Sequence, residues 1–322
     1  METGIERIFR GEEMAEYIVF AGSANPALAA AVMAELGCEP GAAEAERFPD
    51  GETSVKLMQS VRGKDVYLLQ PTCPPVNDNV MELLVFADAC RRAAAGRIHA
   101  VLPYYGYARS DKRHGRREAI TASMVALLMR AAGIDHVVTL DLHTDQVEGF
   151  FPGPFDTLTA VPTLCAALGP QLPPDAVVVS PDAGRVKLAT EYATRLDRTL
   201  AVLHKRRDSG TSTQVTHLVG EVEGRTCLII DDMISTDGTL VESVQALRDA
   251  GAARFVICAT HGLLLRNAVD RLADAGVEQL FVTDTVPPCG DPRGIVRVVS
   301  VAPLLAQALR QLVQDQSLEE LF

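Results

Sequence analysis

Short apolar runs rich in β-branched residues alternate along the chain with stretches whose apolar residues recur every three or four positions. The runs predict strands at 17–20, 65–70, 98–104, 136–140, 176–180, 200–204, 226–230, 254–259, 279–282 and 296–300. The three-and-four spacing predicts helices at 26–36, 79–95, 120–132, 162–168, 185–196, 239–250, 264–275 and 303–313. Strands that alternate with helices build mainly parallel sheets covered on both faces, so the chain is expected to be α/β. An Ala-Gly pair recurs at 95–96, 132–133, 250–251 and 275–276, each placing Gly where a helix end favours left-handed backbone.

With 322 residues the chain exceeds one ordinary core. The repetition of its pattern predicts two similar three-layer domains, 17–160 and 161–322, preceded by an extension, 1–16. A formal net charge of −12 excludes a general nucleic-acid binder, because no surplus of cations exists to neutralise a polymer of phosphates. No run is long enough to cross a bilayer, and residues 1–16 carry five Glu against two Arg, unlike a secretory or mitochondrial leader. A cytoplasmic location is expected. The seven Cys are scattered without a Cys-x-x-Cys pair and read as reduced, mostly buried thiols.

The densest chemistry lies at 225–239. An apolar run, Cys227 to Ile230, meets two carboxylates, Asp231 and Asp232, followed by Ser235, Thr236, Asp237, Gly238 and Thr239 leading into a helix. A helix start with unsatisfied N–H groups suits a phosphate, and paired carboxylates suit vicinal hydroxyls. Together they describe a site for a sugar phosphate. Solvated acids at a strand end are the plain alternative.

Other polar clusters end other strands. Phe48, Asp50 and Glu52 could stack and hydrogen-bond a purine nucleoside, although a Pro-Asp-Gly turn between strands explains them too. The stretch 104–117 carries Arg109, Ser110 and Asp111 within a basic segment, placed for anion capture at a strand's carboxyl end. Asp141 and His143, two residues apart, could serve a divalent cation or a phosphate. Asp182 is either a helix N-cap or a partner of His143 around Mg2+. Lys205 and Arg207 precede a polar run without periodicity, expected to be a mobile loop that brings cations to phosphoryl oxygens. No Walker A string occurs, so an ATP user of this sequence must cradle phosphates with cations and metal.

In order along the chain, 20–23, 47–55, 77–83, 104–109, 120–122, 139–151, 180–184, 205–207 and 230–239 resemble the ribose-phosphate diphosphokinase family, with its phosphoribosyltransferase-like fold, over about 17–322. The resemblance implies transfer of a diphosphoryl group from Mg-ATP to ribose 5-phosphate. It implies that Phe48, Asp50 and Glu52 bind adenosine, that Arg109, Ser110, Asp111 and His143 face the ATP phosphates, and that His143 and Asp182 hold Mg2+. Asp231 and Asp232 would take the ribose hydroxyls, 235–239 the 5-phosphate, and Lys205 with Arg207 the migrating group. It also implies a homo-oligomer of dimers, commonly a hexamer, with Ser60 and Arg62 in an allosteric phosphate or ADP site.

Three departures touch the active site. Ser110 stands for the family's Gln, Arg185 for a Gly, and Ser235-Thr236-Asp237-Gly238-Thr239 for Asp-Thr-Gly-Gly-Thr. A carboxylate at 237 roughly 6 Å from the phosphate would repel it by about 3 kcal/mol per unit charge, and Arg185 is expected to offset this by pairing with Asp237. The altered loops also suit a non-catalytic paralogue that assembles with an active synthetase, whereas a phosphoribosyltransferase that consumes the product would leave the N-terminal ATP-side motifs without a use.

Overall fold

The computed structural model describes residues 17–113, 115–209, 212–236, 238–288 and 290–322, and the side chains of all these except 205–209 and 212–216. Two compact units result, and both are α/β. The first holds the chain up to Leu158 together with Ala302–Phe322, and the second holds Thr159–Val301. The division falls two residues from the expected boundary. The last 21 residues, expected with the second half, belong with the first.

The first unit is built on β1 (Tyr17–Ala21), β4 (Asp65–Leu69), β5 (Arg97–Leu102), β6 (His136–Leu140) and β7 (Phe155–Leu158), all parallel and hydrogen-bonded in that order. Every residue of β4 and β6 is buried, which is why these strands are mostly apolar, with Asp65 at the start of β4 and His136 and Thr139 in β6 as buried polar exceptions. Helices α1 (Pro26–Leu36), α2 (Val76–Arg92) and α3 (Thr121–Ala132) connect them. Phe20, Val66, Leu68, Ile98 and Leu102 from the sheet share a core with Leu83 and Phe86 of α2 and Met129 of α3. Each such side chain contributes about 1.5–3 kcal/mol by leaving water. The C-terminal helix Ala302–Val313 packs on α1, where Arg310 donates to the carbonyl of Glu35.

Between β1 and β4 the chain makes an antiparallel hairpin, β2 (Ala43–Arg47) with β3 (Thr53–Leu57), that no apolar run announced. Its residues are exposed or half-buried, so there is little hydrophobic signal to find.

The second unit contains a seven-stranded sheet in the order β10-β9-β8-β11-β12-β13-β14, comprising β8 (Val177–Ser180), β9 (Thr199–Ser209), β10 (Ser212–Val219), β11 (Thr226–Ile234), β12 (Arg254–Gly262), β13 (Val277–Thr283) and β14 (Val296–Val299). Only the β9–β10 pairing is antiparallel. Helices α4 (Val161–Leu168), α5 (Val186–Leu196), α6 (Gly238–Asp249) and α7 (Ala268–Asp274) complete it. Val177, Val179, Ile229, Ile257 and Leu280 pack with Val244 and Leu247 of α6.

Three local expectations are corrected. The polar run after Lys205 is not a loop but the β9–β10 hairpin, because strand pairing supplies the order that its periodicity lacks. The helix expected from 264 starts at Ala268, since Leu264 (φ 43°) and Arg266 (φ 60°) take left-handed backbone. Of the four Ala-Gly pairs, Gly133, Gly251 and Gly276 have positive φ, but at 95–96 Ala94 (φ 60°) takes the turn. Gly96 is needed there for another reason: a Cβ would stand 2.9 Å from the carbonyl oxygen of Gly63. Among the described residues all six cysteines are free, and no helix is long and apolar enough to cross a membrane.

Candidate active site

In the second unit the chain moves outward from β8 to β9 and then returns to the other side of β8 as β11, so the strand order reverses between β8 and β11. Open α/β sheets bind ligands at such a point, outside the carboxyl ends of the strands. Beside β8 the pairing of β11 stops at Ile229↔Val179, whereas beside β12 it continues through Asp231↔Ala259 to Ile234↔Gly262. The strand expected to stop before the two acids therefore carries both of them. Their polarity breaks the apolar run, but the neighbouring strand keeps the backbone extended.

The turn after β8 folds toward these acids. Ser180 Oγ donates to the carbonyl of Asp182 at 2.7 Å, and Asp182 Oδ1 accepts from the N–H groups of Gly184 at 2.8 Å and Arg185 at 3.1 Å. Asp182 thus caps the short turn that leads into α5. The turn aims Arg185 at β11. Its Nε donates to Asp231 Oδ1 at 3.0 Å and its Nη2 lies 2.8 Å from Asp232 Oδ1. Side-chain exposures are 18% for Arg185, 17% for Asp231 and 5% for Asp232, so solvent screens this triad little. Burial and the adjacent Asp232 push the carboxyl of Asp231 well above its ordinary value, against the opposing pull of Arg185. The expected pairing of Arg185 with Asp237 lies outside the described residues.

Past the acids, Ser235 is buried and its carbonyl accepts from Leu265 N–H at 2.9 Å. Thr236 is exposed, α6 begins at Gly238, and the exposed Thr239 accepts Ser243 Oγ on its carbonyl at 2.8 Å. Nothing stands within 4 Å of where a Cβ on Gly238 would lie. The first N–H groups of this 12-residue helix have no carbonyl of their own turn, which makes its start an anion-binding end. Lys205 and Arg207 lie on β9 opposite Val215 and Thr213, with side chains outside the described residues.

In the first unit Phe48, Asp50 and Glu52 sit at the tip of the β2–β3 hairpin. Phe48 N–H donates to Glu52 O and Gly51 N–H to Phe48 O, both at 2.8 Å, while Asp50 Oδ1 accepts Glu52 N–H at 3.1 Å. Gly51 (φ 94°) supplies the left-handed residue that this turn requires. The turn leaves the ring of Phe48 47% exposed. Nearby in sequence but on other elements, Val76, Asn77, Tyr104, Tyr107, Arg109 and Ser110 line a cavity of about 630 Å3. The exposed Arg109 brings the positive charge, and Tyr107 donates its hydroxyl hydrogen bond to Asn77.

Ser110, which lines that cavity, and the adjacent Asp111 are both held by hydrogen bonds. Ser110 Oγ accepts the N–H of Thr121 at 3.3 Å, and its carbonyl accepts the N–H of Ala122 at 3.2 Å, fixing the start of α3. Asp111, 4% exposed, accepts from Thr144 Oγ1 at 2.8 Å and from Gln146 Nε2. Sequence reasoning missed Thr144 and Gln146, which carry no signal except closeness to His143. His143 is half-buried three residues beyond the end of β6. Ser60 and Arg62 are both exposed, with Ser60 Oγ 3.5 Å from Arg62 N–H.

Asp182, Asp231 and Asp232 offer hard oxygen donors of the kind Mg2+ takes, while His143 belongs to the other unit. Among the described residues no group of three or more His, Cys, Asp or Glu is arranged to hold a metal.

Residues 17–133 match the family described as the N-terminal domain of ribose phosphate pyrophosphokinase, and 212–322 match the phosphoribosyl synthetase-associated domain. The chain is 45% identical over 308 residues to the ribose-phosphate pyrophosphokinase of Chromobacterium violaceum, covering 95% of this chain and 94% of that protein. It is 44% identical over 306 residues to that of Gloeobacter violaceus, covering 94% and 92%. Among solved structures, the phosphoribosylpyrophosphate synthetase from Mycobacterium smegmatis superposes with a TM-score of 0.87 at 43% identity, covering 93% of this chain and 99% of that one.

Proposed function

The chain belongs to the ribose-phosphate pyrophosphokinase family of transferases, and on that premise we propose that it moves the β,γ-diphosphoryl group of Mg-ATP to the C1 hydroxyl of ribose 5-phosphate. In this reaction the C1 oxygen bonds to the β-phosphorus, the bond from that phosphorus to the α,β-bridging oxygen breaks, and AMP leaves with the bridging oxygen. The C1 hydroxyl gives up its proton, and phosphoribosyl diphosphate is the product.

The observation that carries the reading is the carboxylate pair at the switch point, followed directly by a helix start. Asp231 and Asp232 accept hydrogen bonds from the ribose hydroxyls, and 235–239 take the 5-phosphate on backbone N–H groups. On the nucleotide side Phe48 stacks on adenine, Asp50 and Glu52 accept from the nucleoside, and Arg109 and His143 meet the phosphates. Ser110 and Asp111 hold the loop that presents Arg109. Lys205 and Arg207 on β9 stabilise charge on the phosphoryl oxygens in transit. Asp182 of the second unit and His143 of the first are the residues that would contact Mg2+, and the ion would supply neutralisation of phosphate charge.

The exposed Met124, Leu127 and Leu128 of α3 give an apolar face that a homo-oligomer of dimers, up to a hexamer, would cover. Ser60 and Arg62 are the proposed part of an allosteric phosphate or ADP site. One observation favours a second reading, a non-catalytic subunit of an active synthetase: the sugar-binding acids already have a guanidinium on them. Purified protein with Mg-ATP and ribose 5-phosphate, assayed for AMP and phosphoribosyl diphosphate, separates the two. Equal yields of both products support the synthetase, and their absence from a folded, magnesium-replete preparation selects the subunit.

A further inference from the structure

Arg185 meets the acid pair in an unusual way. Rather than gripping one carboxylate with two nitrogens, the guanidinium spreads one edge over two carboxylates, Nε to Asp231 Oδ1 and Nη2 to Asp232 Oδ1. That edge carries two parallel N–H donors held a short, fixed distance apart in one plane. A vicinal diol presents nearly the same thing: two O–H donors on adjacent carbons, directed to two acceptors. We propose that Arg185 is a built-in stand-in for the ribose diol: its two donors take the acceptors that the diol needs, and must move off them before the sugar binds. This rests on the reading that Asp231 and Asp232 hold the ribose hydroxyls.

Three features support competition over simple support. The side chain comes from a turn fixed by Asp182, so its backbone stays in place while the side chain, with four rotatable bonds, can swing away. The triad is largely shielded from water, so hydrogen bonds to it are strong and only another donor pair replaces them at low cost. Asp231 Oδ1 also accepts the N–H of Asp232 at 2.9 Å, which holds that oxygen in the same position for either partner. Arg185 thereby sets ribose-side affinity and favours ligands with both hydroxyls, since a single hydroxyl replaces only half of what leaves.

Calorimetric titration of the whole protein with ribose 5-phosphate, without ATP, tests this. Arg185→Ala is expected to bind ribose 5-phosphate about tenfold tighter than the wild type, the worth of one charge-assisted hydrogen bond. Arg185→Lys, which keeps the charge but lacks the planar edge, falls between them. The gain should be much smaller for 2-deoxyribose 5-phosphate. A cation that merely attracts the anionic sugar gives the opposite sign, and weaker or unchanged binding of ribose 5-phosphate by both variants overturns the proposal. Should Arg185→Ala not fold, Arg185→Lys and Arg185→Gln carry the same comparison. Asp231→Asn keeps the two questions apart. If it weakens binding while the Arg185 variants do not strengthen it, only the stand-in fails; if it changes nothing, the assignment of the acids to the ribose fails.

Discussion

Thr144 Oγ1 donates to the carboxylate of Asp111 at 2.8 Å, tying the segment after β5 to the segment after β6 at the carboxyl ends of both strands. Burial raises this carboxyl, but the hydrogen bonds from Thr144 and Gln146, its own backbone N–H and the charge of Lys112 outweigh it and hold it below the usual carboxylate range. A depressed acid contributes stability above its ordinary pKa and loses it as pH falls through the lower folded value. Asp111→Asn is expected to cost roughly 2 kcal/mol at neutral pH and to flatten the acid limb of stability against pH. Denaturant melts from pH 7 to pH 3 check this, and an unchanged limb would show that the tie contributes nothing.

His99 lies at the opposite end of the same sheet, stacked on Tyr67 at 4.4 Å, with its Nδ1 3.0 Å from Nδ1 of His136. Burial, then the neighbouring His136, lowers it from the ordinary 6.5 to about 4. A histidine kept neutral by the fold takes up protons more readily when unfolded, so stability falls as pH drops from about 6.5 toward 4, by ~3 kcal/mol at most. His99→Phe keeps the stack and should remove most of that slope. Thermal melts across this window give the answer, and a variant as acid-sensitive as the wild type would refute the assignment.

Phe48 has no role in the core, since the hairpin places its ring in solvent. Phe48→Ala should therefore leave the melting temperature within a degree or so while raising the KM for ATP about tenfold, the worth of one stacked base. The KM for ribose 5-phosphate should stay as it was. Equal loss for both substrates would count against a nucleotide role for this loop.

Asp231→Asn and Asp232→Asn separate the sugar side in the same manner. Each replaces one acceptor by an amide and leaves Arg185 with a single carboxylate. The expected result is a ribose 5-phosphate KM raised by about tenfold or more with little change in the KM for ATP. Steady-state kinetics with each substrate varied in turn decide it.

The alternation of apolar runs and helical spacing located the parallel strands except β7 (Phe155–Leu158), which is mostly half-buried and carries Asp156 and Thr157 where the fully buried strands are largely apolar. Where an element is polar and ordered by its neighbour, as in β9 beyond His204, composition gave no warning, and for the half-exposed β2 and β3 the only sign was the Pro-Asp-Gly turn that joins them. The site was legible as a set of strand ends, since chemistry-bearing residues interrupt the apolar runs there. What the sequence did not contain was direction. Arg185 stood out as bulk and charge in place of a glycine, but its target depended on a turn held by Asp182 and on where β8 stops beside β11. Those are distances, and only folding supplies them.

The docking of helix Ala302–Val313 on α1 means that the first unit is assembled from two stretches of chain with the whole of Thr159–Val301 between them. On the ribosome, the parallel sheet that emerges first must wait, one helix uncovered, while all of Thr159–Val301 is made. Order of synthesis and order of completion therefore part company, and a chain that terminates early leaves its defect at the front rather than the back.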